Sequence, residues 1–403
     1  MRFVLLLFLM GAGAWMWLQS CSEKKDAVTE VHQQVQRNLD TLDNWYEKEW
    51  TPLLQNGDEA QLQQSFLKGR QHYKKVEWAM EYFFPATAKD LNGPPVPEVE
   101  AAEHLVFPPS GFQVMETFVF PFEEGGRVQL VQESKKWKSI LHRLQTLWNG
   151  HRFRDDQVWD AARLQLLCVT ALGLANFDTP LSFASISEIQ PSLQGIDRAL
   201  AIYKKENEDF KKLQKAFAQA YDFLQPPYHF DSFDRFGFIR DYLQPLGKQL
   251  IQVQKKLQIP FSGVHAMRGD AGTFFDSAAF NPNFFTPVAL SYLNDTLVAL
   301  GKTLFNDAIL SGNNVACASC HHAGKAFTDG LEKSRSFGAS PFLHRNTPTL
   351  LYAGLQQGQF YDMRAPYLED QVRNVIDSKD EMHGSLKAAA QKLSADLGYA
   401  KMF

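Results

Sequence analysis

The sequence predicts an all-α fold in which a long helical bundle precedes a smaller helical domain with many loops. Apolar residues recur at spacings of three and four through residues 27–256, which is typical of amphipathic helices. Hydrophobic residues make up 45% of the 403 residues and include 32 phenylalanines, enough to fill packed cores. No strand-rich block and no internal repeat interrupts this pattern. We therefore expect helices throughout, in more than one domain.

The first twenty residues are typical of an export signal rather than of a folded domain. Arg2 precedes an apolar stretch that is shorter than a comfortable membrane span. Residues 18–21 read Leu-Gln-Ser-Cys and resemble the cleavage box of a bacterial lipoprotein. We expect residues 1–20 to be a signal peptide, Cys21 to carry the lipid, and the protein to be anchored to a membrane in the periplasm. An uncleaved signal anchor is the alternative, and it also exports the chain.

The segment 27–256 is predicted to be the helical bundle. Its first part places Val28, Val31, Val35, Leu39 and Leu42 on one face of a helix. Residues 130–148 and 158–175 repeat the pattern. The short apolar run 115–122 is the one segment that reads as an isolated strand.

Residues 257–290 change character and are predicted to be an aromatic-rich connector. Gly, Asn, Pro and Phe are frequent there, and no helical or strand period is sustained. Because free linkers lack Phe, we expect aromatic side chains to pack this segment. A helix over residues 287–305 then leads into the last domain, residues 291–403.

The net charge limits the kinds of binding partner, and the cysteine content limits the number of disulfide bonds. A net charge of −4 argues against a nucleic-acid-binding protein. Four cysteines in 403 residues are too few for a disulfide scaffold. Two cysteines that lie close together in the sequence are therefore expected to have a role other than forming a disulfide scaffold.

The strongest motif of the chain is Cys317-Ala-Ser-Cys320-His321. Two thiols at this spacing can add to the two vinyl groups of one haem, and the adjacent imidazole can then bind the iron. A redox dithiol should open a helix within a βαβ unit, and a zinc site needs two further ligands at suitable spacing. We interpret the segment as a c-type cytochrome haem domain, with covalent haem c on Cys317 and Cys320 and with His321 as axial ligand.

Blocks around this motif are similar to the first haem domain of the bacterial dihaem cytochrome c peroxidases, a family that includes the methylamine-utilisation dihaem enzymes. The similarity rests on segments 300–330, 344–354 and 360–382 and runs to the end of the sequence. It implies an enzyme that reduces hydrogen peroxide to water with electrons from a small c-type cytochrome. The alternatives are an electron-transfer haem protein without peroxidase turnover and a helical binding module with a vestigial haem domain.

The family motifs imply roles for particular residues of this sequence. Glu381 matches the family's distal acid/base, and Gln371 matches the glutamine beside it in the peroxide pocket. Peroxide cleavage needs a base that moves a proton between the two oxygens, so the assignment is chemically sensible. Asn346 matches a residue that helps to hold calcium between two haem domains. Arg345 and Arg364 are expected to neutralise haem propionates, with ordinary salt bridges as the alternative.

Two positions depart from the family pattern. Tyr361 stands where the family has a tryptophan between the haems, and we expect it to serve the same electron path. Ala339 stands where many members have the histidine that caps the iron. We therefore expect an open distal site, with His344 as the alternative distal ligand from a shifted loop.

A second haem domain would follow the matched region in this family, and residues 1–403 contain no second Cys-x-x-Cys-His. The sequence is therefore interpreted as either a fragment of a longer protein or a one-haem relative. A homodimer is the assembly that we consider besides the monomer.

The amino-terminal part resembles the imelysin-like helical-bundle proteins over residues 91–120. Members often carry Gly-x-His-x-x-Glu, which is thought to bear on metal binding; here Gly111 and Glu116 are kept and Gln113 replaces the histidine. A carboxylate and an amide are a poor ligand pair for transition metals. We therefore expect an interaction domain that has lost metal binding.

Overall fold

The computed structural model describes residues 26–100, 105–204, 207–261, 265–276, 278–287 and 293–403. The chain divides into two compact units, Met1–Ser262 and Gly263–Phe403. Helices dominate the described residues and the strands among them form one two-stranded ribbon, so the all-α fold class is confirmed. No described helix is long and apolar enough to cross a membrane. The expected signal peptide and Cys21 lie outside the described residues.

The first unit is built from helices and one small ribbon. Its α-helices are α1 Ala27–Trp45, α2 Thr51–Asn56, α3 Glu59–Phe83, α4 Pro85–Asn92, α5 Phe112–Val119, α6 Arg127–Gly150, α7 Asp155–Cys168, α8 Ser185–Ala201, α9 Glu208–Phe223, α10 Arg235–Phe238 and α11 Gln244–Lys256. Single π-helical turns occur at Tyr46–Trp50, Val169–Gly173 and Ile239–Leu243, and a 3₁₀ turn occurs at Glu124–Gly126. The strands β1 Glu98–Glu100 and β2 Leu105–Phe107 pair antiparallel.

Side-chain caps explain where two of the longest helices begin. The Asp26 carboxylate accepts a hydrogen bond from the Thr29 amide at 2.7 Å and starts α1. Asp58 and Gln61 form a reciprocal capping box at the start of α3, with each side chain accepting from the other's amide at 2.9 and 3.1 Å.

The strand expected over residues 115–122 is wrong. Phe112–Val119 is helix α5, and it buries Phe112, Met115 and Val119, which recur at spacings of three and four. An apolar run of this length fits either a strand or a buried helix, and its packing against α6 decides for the helix.

The core of the first unit is rich in tryptophan. Trp45 of α1 and Trp50 are buried and stack with ring centroids 5.6 Å apart. The indole of Trp45 lies over Gly69 of α3, where an added Cβ would come within 2.2 Å of the ring. Helices α1 and α3 therefore approach each other at a position that only glycine permits. Four further tryptophans are fully buried in this unit: Trp78, Trp137, Trp148 and Trp159.

The second unit has shorter helices and more turns. Its α-helices are α12 Asp295–Asn306, α13 Leu368–Asp377 and α14 Leu386–Ala395. Turns of 3₁₀ helix occur at Pro282–Phe285, Ala308–Leu310, Cys317–Ser319, Ala323–Lys325, Ala353–Leu355 and Tyr399–Lys401. The helix expected over residues 287–305 begins at Asp295 instead, because the Asn294 side chain caps it by accepting from the Leu297 amide at 3.0 Å. Residues 288–292 lie outside the described part.

Much of the segment expected to be a connector groups with the second unit, which begins at Gly263. Met267 forms an isolated antiparallel bridge with Phe280. The rings of Phe274 and Phe280 stack with centroids 6.1 Å apart. Aromatic packing of this kind holds the described part of the segment in a compact form.

Candidate functional site

The segment Cys317–His321 folds into a tight turn that brings three predicted site residues together. The amides of Cys320 and His321 both donate hydrogen bonds to the Cys317 carbonyl, at 3.2 and 3.0 Å. The Ala316 amide donates to the Ser319 hydroxyl at 3.1 Å and closes the start of the turn. Cys317 and Cys320 are free, partly buried thiols. Both can therefore react with a partner that enters the turn.

His321 is oriented by a backbone carbonyl. Its Nδ1–H donates to the Phe327 carbonyl oxygen at 2.8 Å. A carbonyl oxygen only accepts, so the proton of the neutral ring lies on Nδ1 and the lone pair of Nε2 is free to bind a metal. Ala326 and Phe327 have φ values of +53° and +60°, which fold the chain back toward the ring. The Phe305 ring of α12 packs beside it, with centroids 6.4 Å apart.

Glu381 is held near this turn by contacts between two loops. The Gly312 amide donates to the Met382 carbonyl at 2.9 Å, and the Asn313 side-chain amide donates to the Glu381 carbonyl at 2.7 Å. A Cβ at Gly312 would lie 1.9 Å from the His383 carbonyl oxygen, so this close approach requires glycine. The loop that precedes the Cys motif therefore fixes the main chain of Glu381.

The Glu381 carboxyl shares an electrostatic environment with the motif. Burial raises its pKa and the charge of Asp380 adds to the rise, while a hydrogen bond from Ser378 and the charge of Arg364 act in the opposite direction. Burial also raises the pKa of the Cys320 thiol, and the charge of Glu381 contributes to that rise. The charge of Glu381 therefore acts on one of the two thiols expected to hold haem. A carboxyl with a raised pKa can take up and return a proton at higher pH than an exposed glutamate.

Gln371 and the two expected propionate partners all lie in the second unit. Gln371 is half-buried in the first turn of α13. The guanidinium of Arg345 lies 4.4 Å from the centroid of the Tyr361 ring, an arrangement typical of a cation–π contact. Arg364 pairs with Asp362 at 2.7 Å. Arg345 and Tyr361 are therefore brought together, and Arg364 has a carboxylate partner of its own.

His344 and Asn346 are exposed on a loop that is held by its main chain. The Leu343 amide donates to the Ser334 carbonyl at 2.8 Å, and the Ser334 amide donates to the Arg345 carbonyl at 3.1 Å. Among the described residues, no group of three or more His, Cys, Asp or Glu side chains is arranged to hold a metal ion. The calcium site at Asn346 and the distal role of His344 stay predictions.

Phe327 and Asn313 are site residues that the sequence did not indicate. Phe327 acts through its carbonyl, which every residue type carries, so no side-chain pattern could have marked it. Asn313 acts across 68 residues of chain on Glu381. Its signal, an Asn-Asn pair just before the Cys motif, reads from the sequence as an ordinary turn.

The residues of the second unit fit a covalent haem. Free thiols at the right spacing and an imidazole with Nε2 unprotonated are the required donors. Several large side chains of this unit, including Phe342, Tyr352 and Met363, are more than half exposed. These side chains offer apolar surface that a bound apolar group would cover. The buried apolar residues in the described part of this unit are few and mostly small: Ala271, Ala279, Leu300, Val315, Ala365, Ile376, Met382, Ala389 and Tyr399.

In the first unit, the side chains of Gln113 and Glu116 form hydrogen bonds with other protein groups. Gly111 has φ +109°, a conformation that favours glycine, and precedes α5. The Gln113 side-chain amide donates to the Asn92 carbonyl at 2.7 Å. One oxygen of Glu116 accepts from the Ser182 amide and hydroxyl, at 3.0 and 2.6 Å.

Comparison with known proteins shows which family the carboxy-terminal domain is similar to. Residues 295–403 match the family model described as di-haem cytochrome c peroxidase. Methylamine utilization protein MauG of Methylorubrum extorquens is 37% identical over 134 residues, which cover 32% of this chain and 38% of the relative. Cytochrome c551 peroxidase of Pseudomonas aeruginosa is 29% identical over 164 residues, which cover 40% and 44%. The resemblance predicted for this domain is confirmed.

A third relative extends the same result. Cytochrome-c peroxidase IdrP2 of Denitromonas iodatirespirans is 32% identical over 113 residues, which cover 27% of this chain and 30% of the relative. The chain therefore spans less than half the length of each of these three relatives.

Proposed function

We propose, from the match of residues 295–403 to the di-haem cytochrome c peroxidase family, that this protein is a haem c peroxidase. It reduces hydrogen peroxide to water with two protons and two electrons, and the electrons come from a small c-type cytochrome. The observation that carries the proposal is the partly buried Glu381 carboxyl, whose pKa is raised by burial and whose charge acts on the Cys320 thiol.

The turn Cys317–His321 is proposed to hold the cofactor. Cys317 and Cys320 form the thioether bonds, and His321 binds the iron through Nε2. When bound, the haem supplies the redox-active iron at which peroxide is reduced. The Phe327 carbonyl keeps the proton on Nδ1 and fixes the plane of the imidazole, since their hydrogen bond is 2.8 Å long.

Glu381 is proposed to move the proton during peroxide cleavage. Its ionised carboxylate accepts a proton from peroxide and returns it to the leaving oxygen. The charge of Arg364 opposes the effect of burial on the pKa of this carboxyl and so favours the ionised form. Gln371, half-buried in the first turn of α13, is the proposed polar neighbour in the same pocket.

Tyr361 and Arg345 are proposed to serve electron entry. The Tyr361 ring is 84% exposed and is covered on one face by the Arg345 guanidinium. An exposed aromatic ring beside a cation is accessible to a donor protein with a complementary acidic surface. The distal site is proposed to be open, because Ala339 carries no ligand atom and His344 is exposed.

Export is part of the proposal. Covalent haem c is assembled outside the cytoplasmic membrane, and residues 1–21 resemble a lipoprotein signal that ends at Cys21. We place the protein in the periplasm, anchored by a lipid on Cys21. The helical unit is proposed to bind a partner or ligand rather than to take part in peroxide chemistry.

The test of the proposed function is Glu381→Gln in the haem-loaded full-length protein. Glutamine keeps the size of the side chain and removes the proton acceptor, so the reaction with peroxide should slow by roughly 10²–10⁴-fold. Stopped-flow mixing with peroxide measures the rate, and haem content and thermal unfolding should stay unchanged. Glu332→Gln is the matched control, because Glu332 is exposed in the same unit.

A Glu381→Gln variant as fast as the wild type would remove Glu381 from the mechanism. The spectrum of the ferric protein separates peroxidase from electron transfer. An open site predicts a high-spin ferric form that His344→Ala leaves unchanged. A low-spin form that becomes high-spin in His344→Ala would instead favour electron transfer without turnover.

A further inference from the structure

A cavity of about 330 Å³ lies in the first unit and shares no residue with the haem site. Helices α3, α4, α7 and α8 and the π turn Val169–Gly173 contribute to its lining. Small-molecule sites in proteins start at about this volume. The cavity is therefore large enough for a compact organic ligand.

The buried cations of this region are already paired with carboxylates. Arg70 donates to both oxygens of Glu188, at 2.5 and 2.9 Å, and to the Asn92 side-chain oxygen at 2.9 Å. Lys74 donates to Glu77 at 2.5 Å and to Asp178. Both side chains are buried, so these ion pairs are not exchanged with water.

Acidic groups outnumber the buried cations around the cavity. Arg70 and Lys74 carry two positive charges, and the carboxylates paired with them, Glu77, Asp178 and Glu188, carry three negative ones. Glu81 adds a fourth carboxyl to the lining. Lys89, the remaining cation of the lining, is exposed to solvent. The interior thus has a surplus of negative charge for a cationic ligand to neutralise.

Two buried polar atoms of the lining have no hydrogen-bond partner, and they are an amide oxygen and a hydroxyl. Gln165 is 1% exposed; its amide nitrogen donates to Glu77 at 2.8 Å, and its oxygen is buried without a partner. The Ser185 hydroxyl is likewise buried without a partner. A buried unpaired acceptor costs free energy that a ligand with an N–H donor would recover.

Glu81 belongs to the same cavity lining as Gln165. It follows Glu77 by one helical turn on α3, and Glu77 is the residue that Gln165 contacts. Burial, followed by the charge of Glu77, raises the pKa of the Glu81 carboxyl to about 8. A cation placed beside it would favour the ionised carboxylate and lower that pKa.

Apolar side chains complete the lining. Leu172 and Phe177 belong to it and are 37% and 47% exposed, and Ile189 is buried beneath. A ligand with a hydrocarbon body would cover the two exposed side chains and gain the free energy of burying them.

We propose that this cavity binds a small organic ammonium compound. The ammonium group donates hydrogen bonds to Glu81 and Gln165, and the hydrocarbon body packs on Leu172 and Phe177. An inorganic or organic anion would have to compete with Glu188, Glu77 and Asp178 for Arg70 and Lys74. The proposal is independent of peroxide reduction and concerns only the first unit.

The experiment titrates the full-length haem protein with three ligands of one size and different charge. Hexylamine, hexanol and hexanoate are added in a calorimeter, and the amine should bind with a Kd at least tenfold lower than the other two. Glu81→Gln should weaken amine binding at least tenfold and leave hexanol unchanged. Glu123→Gln, an exposed glutamate of the same unit, is the matched control and should bind like the wild type.

A second variant guards against a trivial loss of structure. Ser185→Ala removes one hydroxyl of the lining and should change amine affinity less than Glu81→Gln, while circular dichroism stays unchanged in both. Equal affinity for amine and alcohol would overturn the proposal. So would unchanged amine binding in Glu81→Gln, the absence of saturable binding for primary amines of two to eight carbons, or tighter binding of Mn²⁺ or Zn²⁺ than of any amine.

Discussion

Cys317 and Cys320 are free thiols on one turn, and their position leads to a prediction of covalent attachment. Haem should stay with the polypeptide after denaturation and extraction with acidified acetone, because thioether bonds survive both treatments. Cys317→Ala combined with Cys320→Ala should release it. Absorption spectra of the extracted protein measure the outcome.

Cys168→Ala is the control for this experiment, since Cys168 is the other free thiol among the described residues and lies in the first unit. Haem that extracts freely from the wild type, or that stays bound in the double variant, would contradict covalent attachment.

The raised pKa of Glu381 predicts how the rate depends on pH. The base is the ionised carboxylate, and burial shifts its loss of a proton to higher pH than for an exposed glutamate. The rate of reaction with peroxide should therefore fall as the pH is lowered through this raised pKa. Stopped-flow rates between pH 4 and 8 should show the fall in the wild type and in Glu332→Gln, and Glu381→Gln should lose it.

At the residue scale, the sequence predicts the candidate site side chains but not the main-chain groups that position them. The spacing of Cys317, Cys320 and His321 predicts a turn that holds haem, because those residue types have few other uses at that spacing. The role of Glu381 is predicted from the family motifs and not from the residues around it in the sequence. The main-chain contacts of Gly312 and Phe327 depend on how distant loops meet, and no local pattern encodes that meeting.

At the scale of elements, the crossing of α1 and α3 depends on Gly69. An added Cβ would lie 2.2 Å from the Trp45 ring. Alanine normally stabilises a helix interior by about 1 kcal/mol relative to glycine, but here it collides with a buried indole. Gly69→Ala should therefore lower the free energy of unfolding by roughly 1–3 kcal/mol, measured by urea denaturation.

Gly150→Ala serves as the comparison for this variant. Gly150 ends α6, and nothing lies within 4 Å of an added Cβ. Its replacement should leave the protein as stable or slightly more stable. If Gly69→Ala behaves in the same way, the two helices do not approach as closely as the structure shows.

The helical spacing of apolar residues is enough to predict the long helices, but it is not enough to predict the short ones. The sequence predicts an apolar face of α1 over Val28, Val31, Val35, Leu39 and Leu42; the last four are buried and Val28 is half-buried. Helix α5 was mistaken for a strand because eight apolar-rich residues satisfy both periods, and packing in three dimensions selects one. The late start of α12 followed from the Asn294 cap, which outweighed the apolar run before it.

At the scale of the whole molecule, the two units should differ in their dependence on haem. The first unit buries most of the large apolar side chains, whereas the second buries few in its described part. Limited proteolysis of the full-length protein should leave both units intact when haem is attached. In the variant with Cys317→Ala and Cys320→Ala, cleavage should be confined to residues 263–403.

Mass spectrometry of the fragments identifies the cleavage sites in this experiment. Equal resistance of the second unit with and without haem would show that its core is sufficient by itself. Faster cleavage of the first unit in the double variant would show that its stability also depends on the cofactor.

Membrane attachment is the remaining prediction at this scale. Cys21→Ser should move the protein from the membrane fraction to the soluble periplasmic fraction, because the acceptor of the lipid is lost. Fractionation and labelling with a radioactive fatty acid measure the change. Ser22→Ala is the matched control, and attachment that survives Cys21→Ser would favour the uncleaved signal anchor.

The hydrogen bond from His321 to the Phe327 carbonyl has a consequence for how this site can vary. Any amino acid at position 327 supplies the same acceptor, so point mutation of the side chain cannot delete it. A neutral carbonyl also has no proton to gain or lose, so the acceptor that orients the His321 ring is the same in acid and in base. Selection can therefore change the side chains around His321 while the group that orients its ring stays constant.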